Sequence, residues 1–394
     1  MSLSEEPQPY GSEIRVCALD GCENEFVPKR SNHIYCSIAH GQAKSNANRY
    51  NKRDVYTGGE DVPFTPEQRV IMLEQVNRRL YDQLQSAKAR SDDLVRATID
   101  AARDAMLSMG PLKTPPRPTT DLRRKDAEVA LWHLTDFQGS KITATYNSEI
   151  MAERVMRFCH KAEQITQIQR ADHPVRKCVI LFGGDMVEGL FNFPAQPFEI
   201  DQTLFSQYVT VSRLLVQVVQ YALGVYDHVT VIAEWGNHGR IGSKRDTVPR
   251  SDNIDRMCYE LARQLLAGET RLTWNDCPED IQRVEIGEYR ALSIHGDEVG
   301  RGGYVSRNTM INHGNRWKAG AYPWTFRDIY IGHYHVFAEE PLADGLGSIY
   351  WTGSTESDNR YARETLAASA APSQRLHFVD PRKGRVSAQY KIYV

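Results

Sequence analysis

Apolar and polar positions alternate in two ways between residue 126 and residue 394. Two segments, 147–169 and 200–224, repeat apolar residues at helical steps, which predicts two helices. Strand-like apolar runs occupy 129–134, 178–182, 229–233, 291–294 and 329–331. Strand-like runs that alternate with helical segments are typical of an α/β fold. We therefore predict one α/β domain over residues 126–394.

The segment 65–109 has a different pattern. Thr65 and Pro66 provide a cap and a first-turn proline, and apolar residues then recur at steps of three and four without any glycine or proline. This predicts an amphipathic helix of roughly 60 Å. A helix of that length needs a partner face, either in a homodimeric coiled coil or on its own chain. A disordered tail at 1–13 and a proline-rich linker at 110–125 complete the predicted organisation.

Composition excludes several classes of protein. The 394 residues are 41% hydrophobic and 25% charged, and no run approaches the length of a membrane span, so a membrane protein, a collagen and a wholly disordered chain are excluded. The net charge is −2, so an argument for nucleic-acid binding has to be local. The polar start and the odd cysteine count predict a cytoplasmic protein with reduced thiols, in a bacterium or a phage-infected host.

Three cysteines lie close together in the segment 14–53. Cys17, Cys22, Cys36 and His40 have finger-like spacing, which predicts a tetrahedral structural zinc site. His33 is a competing ligand, and a chance cluster of reduced thiols is the alternative. Tyr-Cys-Ser around Cys36 resembles small treble-clef zinc fingers, although His40 stands where they usually have a last cysteine.

Polar residues of metal-binding type follow each of the five strand-like runs. They are Asp136 and Gln138, then Asp185, then Asn237 and His238, then His295, and finally His333 and His335. Ligands of α/β sheets bind at the carboxyl ends of strands, so these side chains are expected to converge. Carboxylates, an amide and imidazoles together suit Mn, Fe or Zn better than Ca.

In this order, the five motifs resemble the calcineurin-like metallophosphoesterase superfamily, over about residues 128–394. The resemblance implies a four-layer β-sandwich of two mixed sheets flanked by helices, with two divalent metal ions at the strand ends. It assigns Asp136, Asp185, His335 and Gln138 to the first metal. It assigns Asp185, as the bridging ligand, with Asn237, His295 and His333 to the second. His238 would protonate the leaving oxygen or stabilise its charge, and Arg240 would contact substrate phosphate.

Two positions depart from the family pattern. Gln138 stands where the family usually has histidine, and it either weakens the first metal site or only binds a metal-bound water. Gly239 stands where the family usually has a carboxylate beside the motif-three histidine. Asp297 and Glu188 are acidic neighbours. They either compensate for the missing carboxylate, or support the ligands from behind, or lie on the surface.

The narrower resemblance is to phage and bacterial DNA-repair exonucleases, which implies a DNA nuclease that uses hydroxide generated at manganese. From Phe26 to Arg53 the chain has basic residues and no acidic one, and Phe191, Phe193 and Phe198 lie beside the site, where they either stack bases or pack the loop. The alternatives are a phosphatase, a small-molecule or cyclic-nucleotide phosphodiesterase, and a non-catalytic scaffold that binds nucleic acid or protein.

Overall fold

The structure, a computed structural model, describes residues 14–19, 21–28, 34–37, 40, 100, 103–104, 106, 112, 114–123, 126–192, 196–242, 250–275, 279–299, 305–358 and 370–394. Two units make up the chain, Met1–Ala89 and Arg90–Val394. In the first unit, strands β1 (Arg15–Val16) and β2 (Glu25–Phe26) pair in antiparallel fashion.

Two sheets form the second unit. The first has the order β13-β12-β3-β4-β5-β6 and contains β3 (Glu128–Leu134), β4 (Val175–Gly183), β5 (His228–Glu234), β6 (Leu272–Asn275), β12 (Ser373–Asp380) and β13 (Arg385–Tyr393). The second has the order β10-β11-β9-β8-β7 and contains β7 (Gln282–Ile286), β8 (Tyr289–Ile294), β9 (Asp328–Ile331), β10 (Ala338–Pro341) and β11 (Ser348–Trp351). All five predicted runs are strands, and the α/β prediction is confirmed.

Strand direction determines where the chemistry collects. Strands β3 to β6 run parallel to one another, and so do β8, β9 and β11. The carboxyl ends of parallel neighbours lie at the same edge of a sheet. The residues that follow β3, β4 and β5 are therefore neighbours, and so are those that follow β8 and β9.

Side chains cap four α-helices of the second unit. The helices are α1 (Ser148–Gln169), α2 (Leu204–Val225), α3 (Ile254–Leu265) and α4 (Arg307–Arg316). Asn147, Thr203, Asn253 and Ser306 each accept a hydrogen bond from a backbone N–H of the first turn. Helices α1 and α2 confirm both predicted helices of the domain. Helix α2 also has the length and the mean hydropathy, 1.2, of a membrane span, but 61% of that window is buried inside the domain.

Alternate residues of each central strand face different layers. Ala130, Trp132 and Leu134 of β3 join a buried cluster with residues of α1, α2 and α3. Val129 and Leu131 join a second cluster with residues of the other sheet. A third cluster contains the apolar residues of β8, β9 and β11 on the other side of that sheet, with Met310 of α4. Burial on both faces explains why these strands read as unbroken apolar runs.

Several sequence predictions lie mainly outside the described residues. These include the tail at 1–13 and most of the helix at 65–109. In that segment Asp100, Arg103, Asp104 and Met106 are described, all four are helical, and Met106 is buried in the first cluster. The homodimeric coiled coil stays a prediction. The described part of the linker, 112 and 114–123, has no helix or strand.

Phe158 of α1 offers a test of the first cluster. It is fully buried and packs edge-on against Trp132, with ring centroids 5.5 Å apart. We expect Phe158→Ala to lower the free energy of unfolding by about 3–5 kcal/mol, because the truncation leaves a cavity. Chemical denaturation measures it. Ile168→Ala, in the same helix but 69% exposed, is the control and should change stability by about 0.5 kcal/mol or less. Equal effects would contradict this packing.

Candidate metal centres and the residues around them

The five strand ends bring the predicted ligands together in the second unit. The loops after β3 and β4 are joined by backbone hydrogen bonds, from Asp136 N to the Gly184 carbonyl (3.0 Å) and from Gln138 N to the Asp185 carbonyl (2.8 Å). The loop after β9 joins them, because the backbone N–H of His333 donates to both carboxylate oxygens of Asp136, at 3.1 and 2.9 Å. The predicted convergence is therefore present in the geometry.

Backbone strain marks the same residues. Seven non-glycine residues in the described ranges have positive φ, and five of them, with φ between 45° and 61°, are predicted ligands: Asp136, Gln138, Asp185, His333 and His335. A non-glycine residue in this region costs about 1–3 kcal/mol, and such strain persists where the surrounding structure enforces it. The fold thus holds the backbone of these ligands in conformations that it would otherwise avoid.

The second predicted metal group centres on His295, which is fully buried. Its Nδ1 lies 2.8 Å from the Gly183 carbonyl, and its Nε2 lies 3.0 Å from Asp185 Oδ2 and 3.2 Å from Asn237 Oδ1. Ligand atoms of Asp185, His295 and His333 all lie within 4.8 Å of one another. Burial opposes a charged ring, but the Asp185 carboxylate outweighs it and raises the pKa of His295 well above its usual range.

The first predicted metal group centres on His335. Its Nε2 lies 3.2 Å from Asp136 Oδ1 and 3.1 Å from Gln138 Nε2, and its Nδ1 lies 3.3 Å from Glu356 Oε2. Burial lowers the pKa of His335, but the Asp136 charge and the contacts with both carboxylates raise it to about 10. Glu356 was not a predicted site residue, and it orients His335 from behind.

The donor set fits divalent cations. Metal binding requires a neutral ring, and a neutral His295 that donates from Nδ1 to the Gly183 carbonyl turns its Nε2 lone pair toward the oxygens of Asp185 and Asn237, so three acceptors then point at one another. Gln138 Oε1 and His333 Nε2 are buried atoms without a hydrogen-bond partner. A cation resolves both conflicts, and a ligating histidine usually donates its other N–H to a carbonyl or carboxylate.

His238 is held by a carboxylate on a different loop. Its Nδ1 lies 3.1 Å from Glu188 Oε2, and its Nε2 lies 3.4 Å from Gln138 Nε2 and 3.9 Å from Asp185 Oδ2. Burial lowers the pKa of His238, but the carboxylates of Glu188 and Asp185 raise it to about 9. Glu188 thus provides the acidic neighbour of His238 that the sequence does not have at position 239. Its position three residues after Asp185 is the sequence feature that could have linked it to the site.

A buried lysine supports that carboxylate. Lys141 Nζ lies 3.2 Å from Glu188 Oε1 and 2.6 Å from Glu199 Oε2. The pair of Lys141 and Glu188 is buried, so each charged group has lost its water and depends on the other as a partner. Lys141 therefore fixes Glu188 against His238, and sequence reasoning did not identify it.

Two glycines allow the loops to touch. A Cβ on Gly236 would lie 2.1 Å from Asp185 Oδ1, and one on Gly184, whose φ is +86°, would lie 2.6 Å from Gly236 N. A Cβ on Gly239 would lie 2.4 Å from Asn253 Oδ1. The departure at Gly239 therefore has a steric reason, since the cap of α3 occupies that space.

Asp255, in the first turn of α3, ties the loops after β4 and β5. Its Oδ2 accepts from the backbone N–H groups of Asp185 (2.8 Å) and Gly236 (2.9 Å), and its Oδ1 accepts from Met186 and Val187 (3.0 and 3.2 Å). Burial and the nearby Asp185 raise the pKa of Asp255 to about 6. No sequence pattern connected Asp255 with the site.

Arg240 is paired within the protein. Its guanidinium contacts Asp297, whose other oxygen lies 2.7 Å from Arg250. Arg250 also pairs with Glu298 at 2.8 Å. The predicted contact of Arg240 with substrate phosphate stays a prediction, and Asp297 serves this arginine pair and does not contact His238 in the described geometry.

The first unit contains the other predicted metal cluster. The ligand atoms of Cys17, Cys22, Cys36 and His40 lie within 4.8 Å of one another. Cys22 Sγ and Cys36 Sγ are 3.8 Å apart, and His40 Nδ1 is 3.6 Å from Cys17 Sγ and 3.2 Å from Cys36 Sγ. In a tetrahedral zinc site, with sulfur at about 2.3 Å and nitrogen at about 2.0 Å, ligand atoms are about 3.5–3.8 Å apart. The cluster fits zinc.

One thiol of this cluster is already biased toward thiolate. Burial raises the pKa of Cys17, but hydrogen bonds outweigh it and lower that pKa to about 6, the first of them from the Cys36 backbone N–H at 3.4 Å. Thiolate is the form that binds metal. The thiol of Cys36 has the opposite shift, because burial and the neighbouring thiols of Cys17 and Cys22 raise its pKa.

No protein-family model and no curated protein matches the sequence. Among solved structures, the chain is similar to a single mutant of Vps29 from Entamoeba histolytica (11% identity, 67% of this chain and 99% of that chain, TM-score 0.30). It is also similar to a predicted phosphoesterase from Streptococcus pneumoniae (10%, 68% and 99%, 0.25) and to phosphopantetheinyl hydrolase from Mycobacterium tuberculosis (12%, 61% and 94%, 0.26). At these values the likenesses do not indicate a function for this chain.

Asp255→Asn tests how the site is assembled. The amide keeps one acceptor but turns a donor toward backbone N–H groups, so the loops that carry Asp185 and Asn237 should separate. We expect about a 10- to 100-fold loss of manganese affinity, the usual effect of removing a residue that supports ligands. Calorimetric titration measures it. Asp252→Asn, at an exposed carboxylate just before the cap of α3, is the control. Unchanged affinity in a folded Asp255→Asn protein would contradict the role of Asp255.

Proposed function

We propose that the chain is a two-metal-dependent phosphodiesterase that acts on DNA. The observation that carries this proposal is the convergence of five strand ends on two carboxylates, two amides and three imidazoles, with a fourth imidazole, His238, beside them. The four-layer metallophosphoesterase sandwich belongs to the same proposal, and the three buried clusters support it.

The residues divide between the two metals as the resemblance implies. Asp136, Gln138 and His335 would hold the first metal, while Asn237, His295 and His333 would hold the second, with Asp185 between them. Two divalent ions lower the pKa of bound water and offset the charge that develops on a phosphoester. Manganese is the proposed metal, because oxygen and imidazole ligands occur together here, and iron and zinc are the alternatives.

The protein's own part in the reaction belongs to His238. Glu188 fixes its Nδ1, so its Nε2 points toward the residues that would hold the metals. A proton on that Nε2 can pass to the leaving oxygen as the P–O bond breaks. Lys141 and Gln196 keep the arrangement rigid from behind. General acid catalysis of this kind contributes about 100- to 10,000-fold to rate.

DNA is preferred as the substrate because of the chain before the domain. The segment from Phe26 to Arg53 has six lysines and arginines and no acidic residue, which favours binding to phosphates. Most of that segment lies outside the described residues, so its sequence carries this part of the proposal. We also propose that Cys17, Cys22, Cys36 and His40 bind one structural zinc, which would fold a module too small to have its own core.

Cleavage of end-labelled single- and double-stranded DNA with Mn²⁺ tests the proposal. The wild-type chain should cut DNA, and His238→Ala should cut it about 100- to 10,000-fold more slowly while it retains its metals. His160→Ala, at an exposed histidine on α1, is the matched control and should behave as wild type. A diester with a chromogenic leaving group needs less protonation, so His238→Ala should affect it less.

Other outcomes of that experiment would reject the proposal in different ways. If the wild-type chain hydrolyses the chromogenic diester but leaves DNA intact, the site is a phosphoesterase with another substrate. If it hydrolyses neither, the scaffold interpretation replaces the enzymatic one. If His238→Ala cuts DNA at the wild-type rate, the assignment of the general acid is wrong.

Cys36→Ser tests the zinc site separately. We expect the bound zinc, measured by mass spectrometry of the metal content, to fall by one ion per chain, because one of four ligands is lost. Hydrolysis of the chromogenic diester should not change, since every residue of that site lies in the second unit. Glu23→Gln, at an exposed residue beside Cys22, should keep its zinc. Zinc retained by Cys36→Ser would refute the ligand set.

A further inference from the structure

We propose that Phe198 is a stacking platform for a nucleobase of single-stranded DNA next to the scissile phosphate. This inference rests on the proposed function and deepens it, since it names how the site recognises a nucleic acid beyond the phosphate. Three observations carry it: the exposure of the ring, the anchoring of its turn, and the contact of the same turn with His238.

Phe198 is unusually exposed for a phenylalanine. Its exposed fraction is 88%, the largest of any large hydrophobic residue in the described ranges. Packing onto its own domain, which was the alternative explanation for the phenylalanines of this loop, does not apply to it. Phe191 is half-buried, and Phe193 lies outside the described residues. Of the three, Phe198 is therefore the one whose ring presents its faces to solvent.

The turn that carries Phe198 is anchored to the site. It is a 3₁₀ turn, Gln196–Phe198, and Gln196 at its start is buried. The Gln196 amide donates to the Glu188 carbonyl, and its nitrogen lies 3.4 Å from His238 Nδ1. Two residues of a 3₁₀ helix rise about 4 Å, so Phe198 begins about that far along the chain from a residue that touches His238. Phe198 thus belongs to the same short turn as a residue that contacts His238.

The far side of the turn is fixed as well. Ile142 N donates to the Glu199 carbonyl at 2.8 Å, and the Glu199 carboxylate lies 2.6 Å from Lys141 Nζ. Ile142 is itself 43% exposed, so apolar surface continues beside the turn. An aromatic ring on a fixed backbone binds a flat ligand with little loss of entropy.

The chemistry of the neighbouring site selects the ligand. A site that binds a phosphodiester brings the flanking sugars and bases of the same strand alongside it. Every nucleobase has an apolar face, and stacking on an aromatic side chain is worth about five- to 150-fold in affinity per base. Stacking requires an unpaired base, so we expect single-stranded DNA, or a frayed end of a duplex, to be preferred, without strong sequence preference.

Fluorescence anisotropy with a labelled 12-nucleotide single strand tests this inference. The parent protein and its Phe198 variants are the whole chain and all carry His238→Ala, so that binding is measured without cleavage. Mn²⁺ is present throughout. Phe198→Ala should weaken the affinity about five- to 150-fold, and Phe198→Trp should restore it. Phe205→Ala, in the first turn of α2 and 40% exposed, is the control and should leave the affinity unchanged. Phe198 is exposed, so its substitution should not unfold the domain.

Turnover separates this inference from the proposed function. In the chain with His238 intact, Phe198→Ala should raise KM for the oligonucleotide and leave hydrolysis of the chromogenic diester unchanged. The inference is overturned if the variant binds the strand as well as its parent, if the parent does not bind it, or if diester hydrolysis falls equally. It is also overturned if Phe198→Ala changes the oligomeric state, because the ring then contacts a second copy. If the chain with His238 intact does not cut DNA, but the strand is still bound in a way that depends on Phe198, only the proposed function is rejected.

Discussion

The geometry of the candidate site depends on Asp255, a buried carboxylate that is not itself one of the predicted metal ligands. Asp255 accepts four backbone N–H groups, two at each oxygen of its carboxylate, and these come from the loops after β4 and β5. Its own position is fixed by Asn253, which caps α3 and donates to the Gly236 carbonyl at 2.7 Å. The spacing between Asp185 and Asn237 is therefore determined by the start of a helix. Such an arrangement tolerates little movement, because a charged acceptor with four donors is strongly localised.

The sequence patterns predicted the features that depend on residues close together in the chain. Strand-like runs such as 178–182 and helices such as α1 follow from periodicity, and the residues at the strand ends follow from parallel topology. Contacts between distant segments left no such pattern. Asp255 and Glu356 meet the site across loops, and Lys141 reaches Glu188 over 47 residues. Glu188 was identified as a candidate neighbour, but only the fold shows that it contacts His238.

Gly239 and Gln138 depart from the pattern of the family that the sequence resembles, and the two departures have different physical meanings. Gly239 is explained by the Asn253 side chain, which occupies the space of a Cβ, while Glu188 supplies the missing carboxylate from another loop. Gln138 has no such replacement, since its Oε1 is buried without a partner and its Nε2 lies between His238 and His335. In the proposed site, a neutral ligand there would leave more positive charge on the first metal, which favours a bound anion.

The hairpin formed by β12 and β13 has a consequence for how the protein folds during synthesis. Strand β12 pairs with β3, where Leu376 lies opposite Trp132, and the Gln374 side chain hydrogen-bonds both backbone groups of Thr135, at 2.8 and 3.0 Å. Thr135 immediately precedes Asp136, so the first motif of the site is clamped by a segment 239 residues later. During synthesis that segment leaves the ribosome after every motif of the site. A nascent chain therefore carries every candidate ligand before the contacts that clamp the first motif can form.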